Sequence, residues 1–240
     1  MILSNVLVLA LNHRSLVTFL LQDERFHLVD GTDDVNLAQC LLQKKHYDIL
    51  IIQDTLPGTD GAHYLHVLAQ NRSPIMPRTL LLTSFAQTET TDYDAYLPID
   101  VPLSSIANAA HKLWELPVPA LCRANFQSRM DIAHSILSDM NMPVSFKGTK
   151  AIACGAAILS CCCRNDLPVG KWLYPHIASR LGCSPADVER NIRTAAEYTW
   201  LKGNLDSIHR YFGISYDANK GKPTNAELLY TLADHVRRKL

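Results

Sequence analysis

The chain has 240 residues, and its 23 basic and 23 acidic residues give a formal net charge of zero. This length exceeds that of a typical domain, about 100–150 residues, so two domains are expected. The 48% hydrophobic content excludes an intrinsically disordered chain, and no apolar run approaches the ~18 residues of a membrane span. Because the start of the chain lacks the basic stretch and cleavage site of a signal peptide, we expect a cytoplasmic protein.

Seven cysteines are present, and three of them are consecutive at 161–163. Neighbouring residues on a helix point about 100° apart, so these three thiols cannot surround one tetrahedral metal ion. An odd number of cysteines also argues against a disulfide framework. We expect the three to be small packing residues, and we predict no metal site or cofactor from them.

Short apolar runs alternate with amphipathic stretches over the first 114 residues, a pattern typical of an α/β doubly wound parallel sheet. Five strands are expected in a flavodoxin-like, receiver-type domain, and function is expected at their carboxyl ends. The predicted strands are 6–11, 26–29, 47–53, 79–82 and 95–97, and the clearest predicted helices are 15–22, 34–45 and 103–114.

Polar side chains stand where two of these strands end. Asp54 follows the third strand and leads into the turn signals Pro57-Gly58 and Asp60-Gly61, and Thr83 ends the fourth. This arrangement resembles the phosphoacceptor loop of response-regulator receiver domains. The resemblance implies that Asp54 is the phosphoacceptor position and that Thr83 supplies the hydroxyl that contacts an acyl phosphate. The alternative is a turn aspartate that caps the following segment.

The partners that receivers use for phosphorylation are missing from this sequence. The family holds a divalent cation, Mg²⁺ or Ca²⁺, with an acidic pair after the first strand, and those positions are Leu11 and Asn12 here. The lysine expected near Val101-Pro102 is also absent, and Asp100 stands beside it. We therefore predict a degenerate receiver that is phosphorylated poorly or not at all. The alternative is a working phosphoacceptor in which Asn12 and a water replace the acids.

The second half differs from the first in charge and in pattern. Residues 1–129 carry a net charge of −4 and residues 130–240 one of +4, which suggests that only the second half meets a polyanion. Two prolines, at 117 and 119, predict a linker at 115–127 between a first domain at 1–114 and an all-helical domain at 128–240. The predicted helices are 131–140, 148–164, 171–181, 185–202 and 225–239.

A helix-turn-helix is predicted at about 175–194. Gly182 is a helix-stop residue, Ser184 is a good N-cap, and Pro185 suits the first position of the second helix. On that helix Arg190 and Arg193 lie one turn apart, where a recognition helix meets base edges. The alternative is an ordinary solvated face with a Glu189–Arg193 ion pair.

Five blocks of the second half, in one order, resemble the carboxyl-terminal DNA-binding domain of the stage-zero sporulation protein A family. The blocks are 173–178, 188–193, 200–208, 212–213 and 222–227. The resemblance implies that Glu189 and Arg190 read base pairs, that Arg193 contacts DNA, and that Ser184 lies near a phosphate. Thr194 stands where the family has a histidine.

The same resemblance implies further partners. The segment from Trp200 to Phe212, which includes Asn204 and Asp206, matches the region that touches the RNA polymerase sigma subunit. Family members bind double-stranded DNA as homodimers on tandem sites and receive phosphate from a phosphotransferase or kinase. We therefore predict a DNA-binding transcription regulator of the sporulation-initiation response-regulator type, with no enzymatic turnover and no membrane association. The alternative is a protein-interaction module that uses a pseudo-receiver as a docking or dimerisation surface.

Overall fold

The computed structural model describes residues 4–70, 76–84, 92–116, 118–123, 125–162, 167–213 and 221–240. The chain divides into two compact units, Met1–Ala124 and Asn125–Leu240. The division lies inside the stretch 115–127 that the sequence pattern marks as a linker. Within the described residues, none of the helices has the length and apolar content required to cross a membrane.

The first unit is a five-stranded parallel sheet with helices, and its strand order is β2-β1-β3-β6-β7. The strands are β1 (Ser4–Leu9), β2 (Phe26–Thr32), β3 (Ile49–Gln53), β4 (Thr55–Leu56), β5 (Thr59–Asp60), β6 (Arg78–Thr83) and β7 (Ala95–Pro98). The helices are α1 (His13–Leu21), α2 (Val35–Lys44), α3 (Gly61–Gln70), α4 (Leu103–Lys112) and α5 (Ala120–Arg123). The doubly wound fold expected from the sequence is confirmed, because this order is that of flavodoxin-like sheets.

The central strands are buried along their whole length, including the polar residues Arg78, Thr79 and Thr83 of β6. All residues of β3 and of β6 are buried, as expected for a parallel sheet covered on both faces. The structure adds a feature that the sequence pattern did not predict. Thr55 and Leu56 pair with Asp60 and Thr59 in an antiparallel hairpin, β4–β5, directly after Asp54. Gly58 turns this hairpin with a φ of +77°.

The end of the first unit is fastened to the sheet by two buried side chains. Nε and Nη2 of Arg78 donate to the carbonyl oxygen of Leu116 at 2.8 and 2.6 Å. Asp94 accepts from the backbone N–H of Ala120 at 2.7 Å and from Arg123 at 3.2 Å. Because these bonds hold Leu116, Ala120 and Arg123 to Arg78 and Asp94, the described residues at the end of the first unit pack against its sheet.

Helices are the regular secondary structure of the second unit in the residues that the structure describes. The helices are α6 (Phe126–Asp139), α7 (Lys147–Ser160), α8 (Tyr174–Leu181), α9 (Pro185–Lys202), α10 (Leu205–Phe212) and α11 (Asn225–Arg238), with a π-helical turn at Val169–Leu173 before α8. Helix α7 is the core, since all its residues from Gly148 to Ser160 except Lys150 are buried, and α6, α9 and α11 pack against it.

The helix predicted at 148–164 is shorter in the structure, because α7 ends at Ser160. Cys161 and Cys162 follow it as buried thiols that donate to the carbonyls of Ala157 and Ile158. Cys163, the third of the consecutive cysteines, lies outside the described residues. Helix α10 was not predicted from the sequence.

Candidate functional site

The candidate nucleic-acid interface is formed by α8, the turn 182–184 and α9. Helix α8 ends at Leu181, and its C-cap, Gly182, has a φ of +65°, the left-handed conformation that closes many helices. Helix α9 begins at Pro185, and the Oγ of its N-cap, Ser184, accepts from the N–H of Asp187 at 3.1 Å. These residues fix the start of α9 for the reasons that the sequence indicated.

One face of α9 is seated on the core of the second unit. Val188, Ile192 and Ala195 are buried, as their three- and four-residue spacing predicts. The approach to α7 is close, because a Cβ placed on Gly148 would lie 2.1 Å from the carbonyl oxygen of Asn191 and 2.6 Å from the Ala195 Cβ. Backbone and small side chains therefore determine the depth at which α9 sits.

The opposite face of α9 presents the predicted DNA-reading residues to solvent. The side chains of Arg190, Arg193 and Glu189 are 73%, 54% and 47% exposed. Thr194 is exposed as well, but its Oγ1 donates to the carbonyl oxygen of Arg190 at 3.0 Å, one turn back along the helix. The two guanidinium groups, one carboxylate and one hydroxyl thus share a single accessible surface.

Each of the two arginines is paired with a carboxylate of its own helix. Arg190 Nη2 lies 2.5 Å from Asp187 Oδ1, and Arg193 pairs with Glu189. The second pair is the i,i+4 contact expected for a solvated face. The first involves Asp187, which the sequence analysis did not single out although its i,i+3 spacing to Arg190 was a usable signal. Hydrogen bonding to Ser184 lowers the pKa of Asp187 below its ordinary value, with Arg190 a smaller cause.

A second residue missed by the sequence analysis supports this surface from α11. Asn225 Nδ2 donates to the hydroxyl of Tyr174 at 3.0 Å and to the carbonyl oxygen of Glu189 at 3.3 Å. It therefore joins the start of α11 to both α8 and α9. The sequence gives no local signal for this contact, since Asn225 is 36 residues from Glu189.

The segment from Trp200 to Phe212 forms a corner between α9 and α10. The rings of Trp200 and Phe212 meet edge to face with centroids 5.1 Å apart, and they line a small cleft with Leu205, Ile208, His209 and Gly213. Asn204 caps α10 by accepting from the N–H of Ser207 at 3.2 Å, and Asp206 is exposed in the first turn. Leu201 and Leu205, which flank this corner, are also exposed.

In the first unit, Asp54 and Thr83 come together at the carboxyl edge of the sheet. The Asp54 carboxylate accepts from the N–H of Ser84 at 2.9 Å and from the Thr55 hydroxyl at 3.1 Å. Burial alone would raise the pKa of Asp54, but hydrogen bonds from Thr83, Ser84 and Thr55 outweigh it and leave the pKa below its ordinary value. Asp54 is thus an ionised carboxylate held by neutral donors.

The surroundings of Asp54 do not fit a divalent cation. Leu11 has an apolar side chain, and its N–H donates to Gln53 Oε1 at 2.9 Å. Asn12 is exposed with a left-handed φ of 52°. The described part of the chain contains no cluster of three or more His, Cys, Asp or Glu side chains that could hold a metal, and Mg²⁺ prefers several hard oxygen ligands. Opposite Thr83 on β7 stands Pro98, which carries no charge.

Comparison with known proteins finds a family that matches most of the second unit, and solved structures that are similar at low sequence identity. Residues 133–236 match the family described as sporulation initiation factor Spo0A C terminal. The response regulator TrrA from Thermotoga maritima is 20% identical, with 47% of this chain and 99% of that chain covered and a TM-score of 0.39. RcsB from Salmonella typhimurium is 16% identical, with 91% and 95% covered and a TM-score of 0.40. RcsB from Salmonella enterica serovar Typhimurium, bound to a promoter, is 14% identical, with 88% and 98% covered and a TM-score of 0.38.

Proposed function

We propose that the protein is a sequence-specific DNA-binding transcription regulator, since residues 133–236 match the family described as sporulation initiation factor Spo0A C terminal, the family that the sequence resembles. The observation that carries the proposal is the exposed surface of α9, where Arg190 and Arg193 lie one turn apart on a helix seated by its other face. Arginine can bind guanine O6 and N7 with two hydrogen bonds, and such pairs dominate base reading in the major groove.

The residues of this surface have different roles in the proposal. Arg190 and Glu189 read base edges, because they lie in the first turns of α9, the part of a recognition helix that enters the groove. Arg193 contacts the phosphate backbone one turn later. Ser184 lies at the helix start, where backbone N–H groups favour an anion. Thr194 is bonded back to its own helix, so it does not replace the contact of the family's histidine.

The remaining parts of the chain are assigned by the same reasoning. The corner formed by Trp200 and Phe212 contacts the sigma subunit of RNA polymerase, and two chains bind tandem sites as a homodimer. The protein acts by binding, without enzymatic turnover, and a promoter-binding role places it in the cytoplasm. The first unit is a degenerate receiver, because Asp54 accepts hydrogen bonds from neutral donors and the residues that the structure describes hold no cluster of metal ligands.

DNA binding is tested by selecting bound sequences from a pool of random duplexes with the full-length protein and measuring affinity over a range of salt concentrations. We expect a short enriched motif. Arg190→Ala should cost about 1–3 kcal/mol on that motif and relax the base choice at one position. Arg193→Ala should weaken binding to all sequences alike and reduce the slope of log K against log salt by about 0.9.

Arg238→Ala is the matched control, because Arg238 is an exposed arginine at the end of α11. If no duplex is retained at low salt, the protein-interaction alternative is favoured.

The degenerate receiver has a separate test. Incubation with acetyl phosphate and Mg²⁺ should leave the mass of the wild-type protein unchanged, because neither a metal-binding acid pair nor a lysine stabilises the transferred phosphoryl group. A stoichiometric gain of one phosphoryl group that disappears in Asp54→Asn would show that the receiver is active.

A further inference from the structure

Three side chains at the start of α9 form a continuous hydrogen-bonded chain. The hydroxyl of Ser184 donates to Asp187 Oδ2 at 2.7 Å, while the N–H of Asp187 donates back to Ser184 Oγ at 3.1 Å. The other carboxylate oxygen, Oδ1, accepts from Arg190 Nη2 at 2.5 Å. Asp187 therefore uses one oxygen to fix its own position against the helix cap and the other to hold the arginine.

This arrangement restrains Arg190 more than an ordinary surface ion pair would. In a simple exposed pair both side chains swing freely, and the pair contributes little to stability. Here the carboxylate cannot rotate away from Arg190 without also losing the Ser184 hydroxyl. Because the acceptor is fixed at two points, the guanidinium that it binds has a preferred direction before any ligand arrives.

A restrained arginine and a free one recognise DNA differently. A free guanidinium on an exposed helix turns towards a nearby phosphate, a contact that carries no sequence information. When Asp187 binds the Nη2 group of Arg190, the other N–H groups of the guanidinium remain available to donate to a base edge that faces α9. The neighbouring carboxylate also neutralises part of its charge, which weakens its attraction to phosphates in general.

We propose that Asp187 is a positioning residue that aims Arg190 at a base edge and keeps it from acting as a phosphate contact. This rests on the proposed function, since it assigns a role within the same DNA-binding surface. It adds a specificity-determining residue that does not itself need to touch DNA. We therefore expect substitution of Asp187 to reduce base preference without weakening DNA binding as a whole.

The test uses Asp187→Asn in the full-length protein, because asparagine keeps an oxygen for Ser184 but loses the charge that holds Arg190. The probes are the random duplex pool and the motif that the wild type selects from it. We expect binding to the random pool to strengthen and its log K against log salt slope to steepen by about 0.9, because Arg190 now neutralises a phosphate. The preference at the base position that depends on Arg190 should fall at least about fivefold.

Two further variants separate position from charge. Asp187→Glu keeps the charge but lengthens the side chain, so it should retain the wild-type salt slope and still lose preference at that position. This variant also carries the test if Asp187→Asn unfolds. Asp234→Asn is the matched control, because it removes the same charge from another i,i+3 Asp–Arg pair, Asp234–Arg237 on α11, and should change neither readout.

The outcomes distinguish this proposal from the one on which it rests. If the wild type selects a motif and both Asp187 variants keep its base preferences, Asp187 does not position Arg190 and the inference is wrong. If Arg190→Ala and the double variant Asp187→Asn/Arg190→Ala show the same base preferences, Asp187 acts through Arg190 as proposed. A wild type that selects no motif and binds no duplex would instead overturn the DNA-binding function itself.

Discussion

Replacing Gly148 by alanine tests the close seating of α9 on α7. On an ordinary helix this change would stabilise the protein by about 0.5–1 kcal/mol, because glycine is the poorer helix former. Here the new Cβ would lie 2.1 Å from the Asn191 carbonyl oxygen and 2.6 Å from the Ala195 Cβ. A normal contact distance is about 3.5–4.0 Å, so α9 must move outward by more than 1 Å or α7 must shift.

Overpacking of this kind costs about 1–3 kcal/mol, which exceeds the gain in helix propensity. We therefore expect Gly148→Ala to lower the free energy of unfolding in urea by about 1–2 kcal/mol. It should also weaken duplex binding, since the contact lies directly beneath the arginine-bearing turns of α9. Gly170→Ala is the control, because a Cβ there meets no atom within 4 Å and should leave the free energy of unfolding unchanged or slightly raised. A Gly148→Ala protein as stable as the wild type would refute the argument.

Three further predictions concern other parts of the chain. The pKa of Asp54 is lowered from 3.8, so the stabilisation from its ionised carboxylate is present above pH 3.8 and is lost as the pH falls through its lower folded value. The difference in free energy of unfolding between wild type and Asp54→Asn, measured in urea, should therefore shrink below about pH 4. A difference that does not change with pH would contradict this. Thr224 and Glu227 form a capping box at the start of α11, so Thr224→Ala should cost about 1 kcal/mol in thermal or urea unfolding, whereas Thr18→Ala on the exposed face of α1 should cost less. Arg78→Met removes two hydrogen bonds to the Leu116 carbonyl oxygen, so trypsin should cleave after Arg123 faster than in the wild type. Equal cleavage rates would mean that the hydrogen bonds to Asp94 are sufficient to hold the end of the first unit.

Most of the architecture followed from local sequence patterns. Strands β3 and β6 are buried, and the apolar runs at their centres, 49–52 and 80–82, were therefore easy to recognise. The ends of α8 and α9 were also predictable, because Gly182, Ser184 and Pro185 act on the backbone next to them. Helix α10 was missed because it has only eight residues and follows the stop signal Gly203-Asn204, although Ile208, Tyr211 and Phe212 form a buried face. That face packs against Trp200 of α9 and against α11.

The candidate site was predictable in its residues and less so in its contacts. The spacing of Arg190 and Arg193 placed both on the solvent face, and the structure has them there. Asn225 and Glu189 are 36 residues apart, so no periodic pattern in the sequence predicts their contact. The prolines at 117 and 119 predicted a linker at 115–127. No local pattern indicated that Leu116 is hydrogen-bonded to Arg78, or that Ala120 and Arg123 are hydrogen-bonded to Asp94, because these partners are far apart in the sequence.

The hydrogen bonds at the end of the first unit also decide where that unit could be cut out of the chain. Ala120 and Arg123 both donate to the buried carboxylate of Asp94. A fragment that stopped at the prolines would remove both donors, and a buried acceptor that loses its partners costs stability. The first unit should therefore be produced with its chain kept to Arg123.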